Sequence, residues 1–91
     1  MRYEIIPSSQ FKKDVKLAQK RGYDLNKLTA VVDTLAEGFE LDERYRDHEL
    51  AGSYAGFREC HIQPDWLLVY KYVNSELMLF LSRTGTHSDL F

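Results

Sequence analysis

Hydrophobic periodicity changes once along this chain, and that change fixes the fold class before any motif is read. From Phe11 to Ala36 apolar side chains recur at helical spacing; from Phe57 onward they form stretches rich in aromatic and branched residues, as strands do. Arg2 to Ile6 predicts a short strand ended by Pro7, which has no amide to continue a ladder. Ser8 or Ser9 then caps a helix in which Phe11, Val15 and Ala18 fall at i, i+4 and i+7, with Lys12, Lys16 and Lys20 on another stripe. Gly22 is placed to stop it, and Asp24 to cap a second helix whose stripe is Leu25, Leu28, Val32, Leu35 and Ala36 before Gly38. The short link between the two predicts a helical hairpin.

Residues Glu40 to Glu49 are charge-rich and weakly periodic, a solvated connection leading to His48, and Gly52 and Gly56 punctuate a loop. Strands are expected over Phe57–Ile62, Trp66–Val73 and Glu76–Arg83, with Asn74 and Ser75 as a two-residue hairpin turn. The predicted architecture is a single α+β domain spanning residues 1–91: an N-terminal strand, a helical hairpin and an antiparallel sheet of at least three strands, helices against one face.

Whole-chain properties narrow the function. At 91 residues with 44% hydrophobic content there is room for one core, and a domain this small gains from a partner. The lone Cys60 cannot form an internal disulfide and no zinc-type spacing exists, so a reducing compartment, the cytoplasm, is expected, with no structural metal and no cofactor. No apolar run approaches the roughly 20 residues of a membrane span, and Met1 to Pro7 lacks a signal-peptide core. The net charge of −2 argues against general nucleic-acid affinity until the charges are placed. Arg2, Lys12, Lys13, Lys16, Lys20 and Arg21 face only Glu4 and Asp14 in the first 22 residues, so the first helix has a basic face. Lys12, Lys13, Lys16 and Lys20 are either an ordinary solvated face or a track for RNA phosphates.

Pairing arithmetic then gathers chemistry at one sheet edge. A two-residue turn at Asn74–Ser75 sets Trp66 opposite Arg83 and Asp65 opposite Thr84, so the tail containing His87 starts beside Asp65. The turn around Gln63, Pro64 and Asp65 brings His61 to the same end. RNA cleavage by the 2′-hydroxyl needs a proton acceptor, a proton donor and stabilisation of phosphorane charge. Histidine titrates nearest neutral pH, Arg83 in this register would hold phosphate oxygens, and Trp66 would offer a flat surface to a base. Asp65 after Pro64 also suits a plain turn, and Trp66 a core residue. Cys60, flanked by Glu59 and His61, is assigned no chemistry.

The stretch His48-Glu-Leu-Ala-Gly52, the run Gly56-Phe-Arg-Glu-Cys-His61-Ile-Gln-Pro-Asp65-Trp66-Leu-Leu-Val-Tyr70 and the close Arg83-Thr-Gly-Thr-His87-Ser-Asp-Leu-Phe91 together resemble the YafQ branch of the RelE/ParE superfamily. The helix Asp14-Val-Lys-Leu-Ala-Gln-Lys-Arg21 is similar as well. The resemblance implies a RelE-like fold and a bacterial type II toxin that enters the ribosomal A site on the small subunit and cleaves mRNA there, without a metal, until a cognate antitoxin neutralises it. It also implies working roles for His48, His61, Asp65, Trp66, His87 and Phe91: proton transfer for the histidines and aspartate, RNA positioning for the aromatics, with base and acid unassigned.

Two other readings fit the same scaffold: a ParE-like gyrase-inhibiting toxin, which needs no proton-transfer set, and a catalytically inactive module that binds an antitoxin and helps it repress an operon. A metal protein using His48, His61, His87 and Asp65 is disfavoured because no two have helical i, i+4 ligand spacing.

Overall fold

The computed structural model describes residues 2–91. Ser8 accepts the Phe11 amide on its Oγ at 2.9 Å and opens α1, Ser9–Lys20. Asp24 accepts the Asn26 amide and opens α2, Leu25–Ala36. Gly22 and Gly38 lie just past the helix ends at φ 79° and 82°, the left-handed region where a Cβ is unwelcome.

The strands are β1 Glu4–Pro7, β2 His48–Glu49, β3 Arg58–Gln63, β4 Trp66–Val73 and β5 Met78–Gly85, followed by a four-residue helix α3, His87–Leu90. They form one sheet in the order β1-β5-β4-β3-β2. β1 runs parallel to β5, so the sheet is mixed; the antiparallel part is β2 to β5. Pro7 sits within β1 at its last position, which the edge of a sheet tolerates because no amide is demanded of it there. The charge-rich connection contains a strand after all: His48 and Glu49 pair with Glu59 and Arg58.

The β4–β5 register differs from the expected one. The connection has four residues, with a single 3-10 turn over Asn74–Glu76 closed by Leu77 at φ 51°. Val73 therefore faces Met78, and a further irregularity leaves Ser82 out of the pairing, so Arg83 lies opposite Val69 instead of Trp66. The turn between β3 and β4 does have two residues, Pro64 and Asp65, with Gln63 opposite Trp66.

Strand alternation builds two cores. Trp66, Leu68, Tyr70, Cys60, Ile62, Leu79 and Leu81 pack with Phe11, Ala18 and the α2 stripe. On the other side Leu67 and Val69 meet Leu90, with Leu50, Tyr54 and Phe57 around them. This second, smaller core docks α3, and with it His87, onto the sheet.

Candidate active site

Three imidazoles arrive from three elements. His48 comes from β2, His61 from β3 and His87 from the first turn of α3; ring centroids lie 6.3 Å apart for His48 and His61, and 5.7 Å for His61 and His87. Asp65, in the β3–β4 turn, completes the set. The expected convergence holds for His61, Asp65 and His87, although a four-residue turn and a capped helix bring His87 to Asp65 by a different route from the two-residue turn.

Each histidine has its Nδ1 committed to an oxygen. His48 Nδ1 donates to the Arg46 carbonyl at 2.8 Å, His61 Nδ1 to the Pro64 carbonyl at 3.2 Å, and His87 Nδ1 to Asp65 Oδ1 at 2.6 Å. A carbonyl oxygen only accepts, so the proton is on Nδ1 of His48 and His61, and a carboxylate imposes the same on His87. In all three the Nε2 is left for chemistry. Asp65 also accepts the His87 amide at 3.0 Å, and that backbone bond, then the imidazole, holds its carboxyl below the usual range.

Glu59 was not singled out from sequence, yet it is central here. Its carboxylate is buried; Oε1 lies 3.6 Å from His48 Nε2 and 3.8 Å from His61 Nε2, while Oε2 has no hydrogen-bond partner among the described residues. Its signal was the i, i+2 spacing to His61, which puts both on one face of β3. The Thr86-His-Ser-Asp89 capping box, whose Thr86 Oγ1 and Asp89 Oδ2 each accept the other residue's amide, was the overlooked sign of α3.

Two residues expected to contact the substrate have partners within the fold. Trp66 is 1% exposed; it packs 4.9 Å from Tyr23 and donates its indole N–H to Thr84 Oγ1, so it offers no face to a base. Arg83 is paired within the fold: Asp14 of α1 takes its Nε at 2.8 Å and Nη2 at 3.2 Å and holds the guanidinium charged. The three-position register shift is what carried Arg83 away from the Asp65 turn. Phe91 is exposed, its ring edge-on to Tyr54 at 5.4 Å. Lys12, Lys13, Lys16 and Lys20 are all exposed on α1. Cys60 is buried, and burial pushes its thiol up, which suits the inert role expected of it.

Glu59, His61 and His87 each present a ligand atom within 4.8 Å of the others. An unpartnered buried carboxylate oxygen beside two imidazoles fits a divalent cation. The ligand set disfavoured from sequence lacked Glu59, the member that makes the fit.

Chains of this shape are found among bacterial toxins. The structure superposes on a metal-bound toxin from Helicobacter pylori with a TM-score of 0.93, 47% identity and 100% of both chains covered. The YafQ chain of the Escherichia coli DinJ–YafQ toxin–antitoxin complex matches with a TM-score of 0.90 and 44% identity over 100% of this chain and 99% of that one. The mRNA interferase toxin YafQ of E. coli K12 is 47% identical over 89 residues, 97% of this chain and 95% of the relative. This chain belongs to the YafQ family, the bacterial toxins of type II toxin–antitoxin systems, whose model matches residues 3–91.

Proposed function

We propose that this protein is an mRNA interferase: an endoribonuclease that cleaves mRNA in the ribosomal A site by side-chain acid–base catalysis and is silenced by a cognate antitoxin. The observation that carries the reading is the shared arrangement of the three histidines, each anchored through Nδ1 with Nε2 free. One neutral Nε2 accepts the proton of a 2′-hydroxyl as its oxygen attacks the adjacent phosphorus. A second, protonated, donates to the leaving 5′-oxygen. The 2′-O–P bond forms as the P–O5′ bond breaks, leaving a 2′,3′-cyclic phosphate and a 5′-hydroxyl.

Asp65 orients His87 and stabilises its imidazolium, the work of a carboxylate behind a catalytic histidine. Glu59 stands behind His48 and His61 at longer range, one oxygen of its buried carboxylate facing both Nε2 atoms. Exposed Phe91 stacks on a base, and the lysines of α1 contact ribosomal RNA. A cation held by Glu59, His61 and His87 would supply Lewis acidity, but it would occupy imidazole nitrogens that proton transfer needs; the reaction proposed here is metal-independent. The antitoxin reading rests on the DinJ–YafQ complex of the relative. Among the described residues no helix is long and apolar enough to cross a membrane; the proposed place of action is the ribosome in the cytoplasm.

The test is His87→Ala in single-turnover cleavage on programmed ribosomes, with the ends mapped. The rate should fall at least about 100-fold, the low end of a positioned acid or base, while circular dichroism and ribosome affinity are kept. Near-wild-type cleavage by a folded variant, or products ending in a 3′-hydroxyl, would refute the mechanism.

A further inference from the structure

A cleft of about 910 Å³ runs from the histidine cluster between α2 and the segment that precedes β2. His61 and His87 form one end of it; Lys27 of α2 lies on one wall, and Arg44, Tyr45 and Arg46 on the other. That volume is near the top of the roughly 300–1,000 Å³ range of small-ligand sites, more than one reacting nucleotide needs.

Charge is distributed unevenly around this cleft. No carboxylate lines it, although Asp42, Glu43 and Asp47 belong to the same segment. Glu43 and Asp47 turn instead to a separate cavity of about 510 Å³ on the far side, and Asp42 accepts the Arg44 amide. Elsewhere Arg2, Arg21, Arg58 and Arg83 each hold an acidic partner, but among the described residues Arg44, Arg46 and Lys27 hold none. Guanidinium groups left without a carboxylate, where the other four arginines just named have one, suit a polyanion.

The wall is also built to receive bases. The Arg44 guanidinium lies 4.8 Å over the Tyr45 ring and donates to the Tyr45 hydroxyl at 2.8 Å, so the two planes support each other. Single-stranded RNA stacks on aromatic rings and on guanidinium planes alike. Arg46 is left-handed at φ 49°, and its carbonyl is the one that anchors His48. The cleft wall and the histidine cluster are therefore one mechanical unit.

From these observations we infer that the cleft binds the substrate strand itself: Lys27, Arg44 and Arg46 take phosphates of single-stranded mRNA flanking the cut, and the Arg44–Tyr45 pair stacks a flanking base. The inference rests on the RNA-cleaving reading and adds to it a path for the strand beyond the reacting phosphate. Ribosomal RNA offers the same phosphodiester chemistry, but a strand entering this cleft ends against His61 and His87, where only the cleaved strand belongs.

The test is binding of a free single-stranded RNA of roughly 12 nucleotides, within the usual site sizes, with 2′-O-methyl sugars that block self-attack. Affinity is measured over a salt series beside cleavage and ribosome binding. Replacing Lys27, Arg44 and Arg46 by Gln should weaken the oligonucleotide at least about 10-fold and lower its logarithmic salt slope by about two, at roughly 0.7 per single-strand phosphate. The Lys27→Gln, Arg44→Gln pair, which leaves the left-handed position alone, should lower the slope by about 1.4. Unchanged slopes in folded variants overturn the inference. So does loss of ribosome binding with oligonucleotide affinity intact, which would assign the cations to ribosomal RNA, and so does a wild type that cleaves on the ribosome yet has no affinity for the oligonucleotide. A wild type that neither binds nor cleaves RNA removes the functional reading itself.

Discussion

The guanidinium of Arg21, at the end of α1, holds both carboxylate oxygens of Asp89 at 2.6 and 3.1 Å, clasping the helix that carries His87 to an element 68 residues earlier. Arg21 is the first cause of the depressed Asp89 carboxyl, followed by the Thr86 amide. A carboxyl depressed in the folded state stabilises it above the ordinary carboxylate range, about 4, and loses that contribution as pH falls through the lower folded value. In wild type α3 should thus stay docked at pH values below 4. Asp89→Asn removes the pair and should undock α3 even at neutral pH. Hydrogen exchange at the Leu90 amide, bonded to the Thr86 carbonyl, should accelerate, and cleavage should fall about 10-fold, part of what positioning contributes. Unchanged exchange would show that the Leu90 contacts alone hold the helix.

Glu59→Gln should separate stability from function. The native carboxylate is buried with one oxygen unpartnered, and relief of such a group gives about 1 kcal/mol, the low end of its penalty, or about 4–8 °C in Tm for a domain of this size. Cleavage should nevertheless drop about 10-fold because the site loses the buried negative charge that faces the His48 and His61 Nε2 atoms. Equal or lower Tm with full activity would make Glu59 an ordinary core residue.

For metals the expected sign is inhibition. Cleavage should survive a chelator once ribosomes are repaired with magnesium, and copper or zinc should suppress it by occupying His61 and His87, with activity restored on chelation. Activity lost to the chelator and regained with zinc would reverse the assignment.

Trp66 makes a contrasting case. Trp66→Phe keeps most of the ring volume but loses the indole hydrogen bond to Thr84 Oγ1, whose hydroxyl keeps its own bond to the Leu67 carbonyl, so it should cost about 0.5–1.5 kcal/mol while leaving RNA affinity per folded molecule unchanged. A selective loss of RNA affinity at full stability would restore the stacking role.

On α1, changing Lys12, Lys13 and Lys16 together to Gln should weaken ribosome association and flatten its salt dependence. The fold should shift by no more than about 0.5 kcal/mol per exposed site. Ribosome affinity that is unaltered across a salt series would return these lysines to an ordinary solvated face.

Elements were legible from the chain where one local rule decided them. Ser8 and Asp24 are caps, Gly22 and Gly38 are stops, and Trp66–Val73 is a strand to the residue. Register was not, because Leu77 adopts a left-handed backbone that its side chain disfavours, and nothing local announces that Ser82 drops out of the pairing. Hence Arg83 was misplaced while His61 and Asp65, fixed by the Pro64 turn, were not. Trp66 could not be sorted between surface and core by alternation, since β4 is covered on both faces. Glu59 reads as an ordinary strand residue until His48 is paired across from it.

The parallel pairing of β1 with β5 has a consequence in time. Glu4 meets Met78 and Pro7 meets Leu81, so the first strand waits for a segment more than seventy positions downstream, and such long closures slow folding. The helical hairpin can form on its own early, but the three histidines come from β2, β3 and α3, and α3 leans on β4 and β5. Activity therefore arrives in one late step, when the last strand slots between β1 and β4, and a half-made molecule carries no partial nuclease.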